Sequence, residues 1–234
     1  MIRLGILETG RPPRSLQSRF GEYPAMFRTL LGETAYDYST FRVFDGQWPE
    51  RPEACDAYLL TGAAAGVYDP LPWIAELKAF LVAAKGRAAL VGVCFGHQVM
   101  AEAFGGLVIK SPNGRVIGLQ EYQVLRPEPW MDGAPAIRLF AANQDVVVAP
   151  PPTARVIAAN AFNPCGMLAY DDQPAISLQL HPEFTRDFGL ALTASAHGEN
   201  YGAAEVARGA ATYDQPDDNV RVAGWIRRFL AEAG

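Results

Sequence analysis

The chain is poor in the residues that most often announce a function. It has three cysteines and three histidines in 234 residues. Cys55, Cys94 and Cys165 are odd in number, and their spacing fits neither a zinc site nor a disulfide framework, so no metal is expected. Basic charge is short as well: 20 Lys and Arg stand against 25 Asp and Glu, a formal net charge of -5. That balance argues against nucleic acid as a general partner. No apolar run approaches the roughly 18 to 20 residues of a membrane span, so no membrane contact is expected either. No basic-then-apolar leader opens the chain, and the stretch from Met1 to Leu7 is too short for a signal peptide. A reduced, cytoplasmic protein is the expectation.

Apolar residues are not lacking. Half of the chain is hydrophobic and 19% is charged, which supports a sizeable core. No internal repeat, low-complexity tract or linker interrupts it, so one domain over residues 1–234 is expected. Strands are predicted over Ile2 to Leu7, Tyr36 to Phe44, Ala57 to Leu60 and Ala88 to Val93. Helices are predicted over Tyr23 to Leu31, Pro72 to Ala84 and Gly96 to Phe104, with Glu8 to Gly21 as a loop. Alternation of this kind favours an α/β fold, a mostly parallel sheet flanked by helices. The middle of the chain differs. Short strands at Leu107 to Ile109, Gly114 to Leu125, Ala136 to Phe140, Arg155 to Ala159, Met167 to Tyr170 and Ala175 to Leu180 have no long helices between them, which points to an antiparallel extension. Helices are then expected over Phe184 to Ala196, Gly202 to Ala210 and Asn219 to Ala233. The last carries Val222, Trp225, Ile226, Phe229 and Leu230 near helical spacing.

One stretch stands out, Leu90 to Gln98, where an apolar strand runs into Gly92-Val93-Cys94-Phe95-Gly96. Small residues two before and two after a nucleophile permit a sharp strand-to-helix turn. Such a turn exposes the side chain at the positive end of a helix, where a thiolate is favoured. A cysteine in an apolar strand is more often a small buried hydrophobe; the flanking glycines and a distant His-Pro-Glu reverse that weighting. A cysteine nucleophile needs a base, a group orienting the base, and donors for an oxyanion. His97 lies on the same turn as Cys94, where the helix carries it away from the thiol, and His197 sits in a polar stretch. His181 directly follows a predicted strand, as Cys94 does, and reactive side chains gather at the carboxyl ends of parallel strands. Glu183, across Pro182, can turn back to hold the imidazole.

Gly92-Val93-Cys94-Phe95-Gly96-His97-Gln98 and Leu180-His181-Pro182-Glu183 resemble the two signature blocks of class I glutamine amidotransferases. The stretch from Leu60 to Asp69 resembles that family's glycine-rich oxyanion loop. The resemblance covers essentially the whole chain and is nearest to stand-alone members similar to the glutaminase part of GMP synthase. It implies a flavodoxin-like fold, with Cys94 as nucleophile, His181 as base and then acid, and Glu183 as orienting carboxylate. Glutamine, or another γ-glutamyl compound, would be the substrate, passing through a γ-glutamyl thioester without a cofactor. The oxyanion donors implied are the N–H of Phe95 and one from the Thr61-Gly62-Ala63 loop, where Gly62 and Ala63 both align with family glycine. Gln98 would bond the substrate. Asn143-Gln144-Asp145 stands where relatives often carry His-x-Asp, and would line the glutamine site largely through backbone. The run Ala63-Ala64-Ala65 replaces a more polar, glycine-rich loop. Neither a Ser-Gly-Gly-Val-Asp-Ser nor a Gly-x-x-x-x-Gly-Lys-Ser/Thr phosphate loop occurs, so the chain is not expected to activate an acceptor with ATP. The leading expectation is therefore a glutaminase that supplies ammonia to a separate synthetase or ligase in trans. The alternatives are a γ-glutamyl peptidase and a catalytically silent binding module.

Overall fold

The computed structural model describes residues 1–195 and 201–233. Its strands are β1 (Arg3–Glu8), β2 (Asp37–Arg42), β3 (Ala57–Leu60), β4 (Ala89–Val93), β5 (Leu107–Lys110), β6 (Val116–Val124), β7 (Ala136–Asn143), β8 (Asp145–Ala149), β9 (Ala154–Ala159), β10 (Met167–Tyr170) and β11 (Ala175–Leu178). Its helices are α1 (Arg14–Phe20), α2 (Tyr23–Leu31), α3 (Pro72–Ala84), α4 (Phe95–Ala103), α5 (Arg186–Ser195), α6 (Ala203–Thr212) and α7 (Asn219–Ala233).

Nine strands form one sheet in the order β2-β1-β3-β4-β11-β10-β9-β6-β7, and β5 and β8 form a separate antiparallel pair. From β2 to β11 all neighbours are parallel. From β11 to β7 all are antiparallel. The expected parallel sheet with an antiparallel extension is therefore what forms. The reason lies in the side chains. Every residue of β3, β4 and β11 is buried, as continuous apolar strands covered on both faces must be. Alternating residues feed two cores. Leu4, Ile6 and Val91 pack with Phe27 of α2 and with Trp225 and Ile226 of α7. Leu7, Leu60 and Leu90 pack with Leu77 and Leu81 of α3 and Val99 of α4. Burying each such side chain contributes roughly 1.5–3 kcal/mol.

Four segments depart from the sequence expectation. The predicted loop from Glu8 to Gly21 contains helix α1, which buries no residue of its own and so has no apolar period to betray it. Val146 and Val147 belong to a strand, β8, which the turn residues around it concealed. The strand expected to reach Phe44 stops at Arg42, because Val43–Asp45 wind into a 3₁₀ turn closed by Gly46 at φ 76°. The helix expected from Phe184 begins at Arg186; its expected end, Ala196, and His197 lie outside the described residues.

Candidate active site

β4 and β11 are adjacent and parallel, with Val93 paired to Leu178. Their carboxyl ends therefore deliver Cys94 and His181 to the same edge, and the Cys94 amide donates to the Leu178 carbonyl at 2.9 Å. Cys94 has φ 54° and ψ −106° and caps α4. Among the described residues it is the one non-glycine residue at positive φ. Such strain persists only where the surroundings impose it. Here they do: a Cβ on Gly92 would meet the Gly96 carbonyl oxygen at 2.6 Å, and one on Gly96 would meet Leu60 Cβ and O at 2.7 Å. The two flanking glycines thus let α4 press onto the ends of β3 and β4.

His181 is buried, and its Nδ1 lies 2.8 Å from Glu183 Oε1. Its ring stacks flat on Phe184, with centroids 4.0 Å apart and planes 8° apart. Its amide donates to Phe140 of β7 at 2.8 Å. Burial alone would lower the imidazole pKa, but the charges and hydrogen-bonding groups of Cys94 and Glu183 outweigh it and push the value up to about 10. A Cβ built on Gly62 would lie 3.1 Å from His181 Cε1 and 3.7 Å from Cys94 Cβ. Gly62 therefore borders both groups, and the Thr61-Gly62-Ala63 segment closes the site from the end of β3. Thr9 clamps that segment from β1: its Oγ1 donates to the Thr61 carbonyl at 2.9 Å, and its amide donates to Thr61 Oγ1 at 3.0 Å. The amides of Phe95, Gly62 and Ala63 have no backbone acceptor among the described residues. Phe95 N–H opens a helix, where such donors are free for a ligand anion.

The remaining predicted residues meet around the turn between β7 and β8. Gln98 Nε2 donates to the Asp145 carbonyl and to Gln179 Oε1, both at 3.0 Å. Asn143 Nδ2 also donates to the Asp145 carbonyl, at 3.1 Å. The Gln144 carbonyl accepts from the Ser111 amide at 3.0 Å. Asn143, Gln144 and Asp145 thus join β7 to β8 with their main chain turned into hydrogen bonds. Gln98 reaches that turn rather than standing free. Gln179 was missed from sequence. Its Nε2 lies 3.5 Å from Cys94 Sγ, and the available signal was a buried amide two residues before His181. Tyr23 was missed too, because α2 is remote in sequence. It stacks on Phe184 at 6.0 Å.

His97 does turn away from the thiol, into the sheet. It is fully buried with Nδ1 2.8 Å from Ser177 Oγ, and burial pushes its pKa down to about 3. The unfolded imidazole titrates near 6.5, so the folded state refuses a proton that the unfolded state takes. The resulting stability is present above about pH 6.5 and is lost as pH falls towards 3, by about 1.4 kcal/mol per pH unit. Denaturant titrations of the wild type and His97→Gln between pH 7 and 4 should show a shallower decline in the variant. Parallel curves would remove His97 as the cause.

The carboxyl edge of the sheet thus brings together a strained cysteine at a strand-to-helix elbow and a His-Glu pair that follows the neighbouring strand. A sequence model of glutamine amidotransferase class-I matches residues 43–189, and the chain belongs to that family. It is 28% identical to γ-glutamyl peptidase 4 of Arabidopsis thaliana over 177 residues, which cover 72% of this chain and 70% of that protein. It is 31% identical to the glutamine-hydrolysing GMP synthase of Thermus thermophilus over 134 residues, 57% of this chain but 25% of that protein. In fold it is similar to a glutamine amidotransferase from Thermotoga maritima, with a TM-score of 0.75 at 18% identity, covering 99% of this chain and 97% of that one. Among the described residues no helix is long and apolar enough to cross a membrane.

Proposed function

We propose that the protein hydrolyses γ-glutamyl amide bonds through a thioester on Cys94. The observation that carries this reading is the elbow: Cys94, strained at φ 54°, shares the Gly62 border with a His181 already paired to Glu183. Cys94 Sγ gives up its proton to His181 and attacks the γ-carbonyl carbon, whose oxygen takes up the negative charge. The Phe95 N–H and that of Gly62 or Ala63 hold the oxyanion; each donor of this kind is worth roughly 3–4 kcal/mol. The C–N bond breaks as His181 passes its proton to the leaving nitrogen. Water then attacks the thioester while His181 takes its proton, the C–S bond breaks, and glutamate leaves. Glu183 holds the imidazole and stabilises its charged form throughout.

The substrate we favour is a γ-glutamyl peptide or modified γ-glutamyl compound. The Arabidopsis γ-glutamyl peptidases 4 and 2 align along 70% and 76% of their own lengths, whereas the Thermus GMP synthase aligns along a quarter of its length. A second reading, a glutaminase feeding a separate synthetase, draws on the 30% identity over 95 residues to a glutamine-hydrolysing GMP synthase chain of Pyrococcus abyssi. On that reading the isolated chain is slow, and a docked partner reorders Ala63-Ala64-Ala65. Assaying the purified protein on glutamine and on γ-glutamyl dipeptides, with Cys94→Ala as control, separates the two. We expect kcat/KM on at least one dipeptide to exceed that on glutamine about tenfold or more, within the range that extra binding contacts supply. A preference for glutamine would move the assignment to the second reading, and Cys94-independent turnover would contradict both.

A further inference from the structure

A cleft of about 390 Å³ opens between β1, β2 and the start of α2, lined by Glu8, Glu22, Arg28, Thr40, Arg42 and Gln47. It lies at the carboxyl ends of the parallel strands β1 and β2, under the α2 crossover that joins them. Its lining is unusual for a structural cluster. Glu8 is 1% exposed, yet neither of its carboxylate oxygens accepts a hydrogen bond among the described residues. The nearest cation, Arg11, stands off at 3.5 Å and divides its contacts among Glu8, Glu22 and Asp45. Across the cleft, Arg28 donates from Nη2 to Thr40 at 2.6 Å, while its buried Nε has no partner. A buried ionic group without hydrogen bonds is costly unless something completes it. Burial, reinforced by the Glu22 charge, also holds the Glu8 carboxyl above its usual pKa.

The cleft is also near the triad. Glu8 pairs with Arg42 of β2. Leu7 is level with Leu60, and Leu60 with Gly92, so Glu8 is level with Val93 two strands away, about 10 Å along the sheet. Thr9, the next residue, holds the Gly62 carbonyl at 3.2 Å. Tyr23, between the lining residues Glu22 and Pro24, packs on the Phe184 ring that supports His181.

We infer that this cleft binds an α-amino-acid head group, with its ammonium on Glu8 and Glu22 and its carboxylate on Arg28 and Arg42. Two carboxylates and two guanidinium groups around one cleft suit a zwitterion better than either ion alone. The head group can come from two sources. It can be the far end of a leaving amine, as in a lysine joined to the γ-glutamyl group through its side-chain nitrogen, an alternative that rests on the hydrolysis proposed above. It can also be a free amino acid.

Binding is tested on Cys94→Ala, which does not need turnover. L-norleucine should bind saturably by calorimetry. Adding Glu8→Gln, or Arg42→Gln, should weaken it about tenfold or more, with melting curves confirming that each variant is folded. N-acetylnorleucine and norleucine amide, each lacking one charge, should bind correspondingly worse. Kinetics identify the source: if it is the leaving group, wild type should favour γ-glutamyl-ε-lysine over γ-glutamyl-butylamine about tenfold or more in kcat/KM, and Glu8→Gln should collapse that ratio. Norleucine binding that depends on Glu8, with no such ratio, assigns the cleft to a free amino acid. Binding that is absent, or unchanged by both substitutions, overturns the proposal whether or not the protein proves to be a hydrolase.

Discussion

His181→Ala should lower kcat by about 10³–10⁴-fold and leave the protein folded, whereas Glu183→Gln should cost about 10–100-fold. The difference follows from what each change removes. Without the imidazole there is no group to take the Cys94 proton or to donate to the leaving nitrogen. Without the Glu183 charge the imidazole is still stacked on Phe184 at 4.0 Å and still tied by its amide to Phe140. It is less well oriented, and its protonated form is less stabilised. The two losses should not add, because a His181→Ala protein has no imidazole for Glu183 to orient. Steady-state kinetics of the single and double variants, with melting temperatures as a fold control, test this. A His181→Ala enzyme with wild-type turnover would dissolve the triad.

Gly96→Ala should damage both stability and activity, although it adds one methyl group. The new Cβ would sit 2.7 Å from Leu60 Cβ and from the Leu60 carbonyl oxygen, and backbone cannot rotate aside as a side-chain tip can. Either α4 or the end of β3 must shift, at a cost of about 1–3 kcal/mol. For a chain of this size that is about 2–4 °C of melting temperature per kcal/mol. The same shift separates Phe95 N–H from the Gly62 loop, since the Gly96 amide donates to the Thr61 carbonyl at 3.2 Å across that contact. A displacement near 1 Å in such a site costs about 10²-fold in rate. Gly224→Ala is the control: its Cβ would meet nothing nearer than Arg228 Nη1 at 3.5 Å, and alanine within a helix should gain about 0.5–1 kcal/mol. A Gly96→Ala enzyme as stable and as active as wild type would show that the elbow does not depend on this contact.

Those two cases mark what the sequence made legible. The elbow is local: glycines at fixed offsets from Cys94, an apolar strand before and a helix after, all readable in one stretch. The His-Pro-Glu stretch is equally local, and the parallel strands ahead of both blocks already placed them at one edge of a sheet. The contacts that complete the site cross the chain. Gln179 meets Cys94 and Gln98 only because β11 lies beside β4, and Tyr23 meets Phe184 only after α2 folds over the carboxyl edge. Helix α1 escaped notice because it buries none of its residues. Glu8 looked like the end of a strand entering a loop. Its burial beneath α2 is a property of the packed layers, and no pattern within β1 carries it.

The nucleophile itself is open to direct chemical test. All three thiols are nearly buried, so access does not separate them, but their surroundings do. Burial pushes the Cys55 and Cys165 thiols up, whereas Cys94 caps the N-terminal end of α4 and shares the Gly62 border with His181. Iodoacetamide near neutral pH, followed by peptide mapping and residual activity over time, should find Cys94 modified first. Loss of activity should track that modification one for one, and a saturating γ-glutamyl ligand should slow both. Earlier modification of Cys55 or Cys165, or full activity with Cys94 alkylated, would contradict catalysis by Cys94.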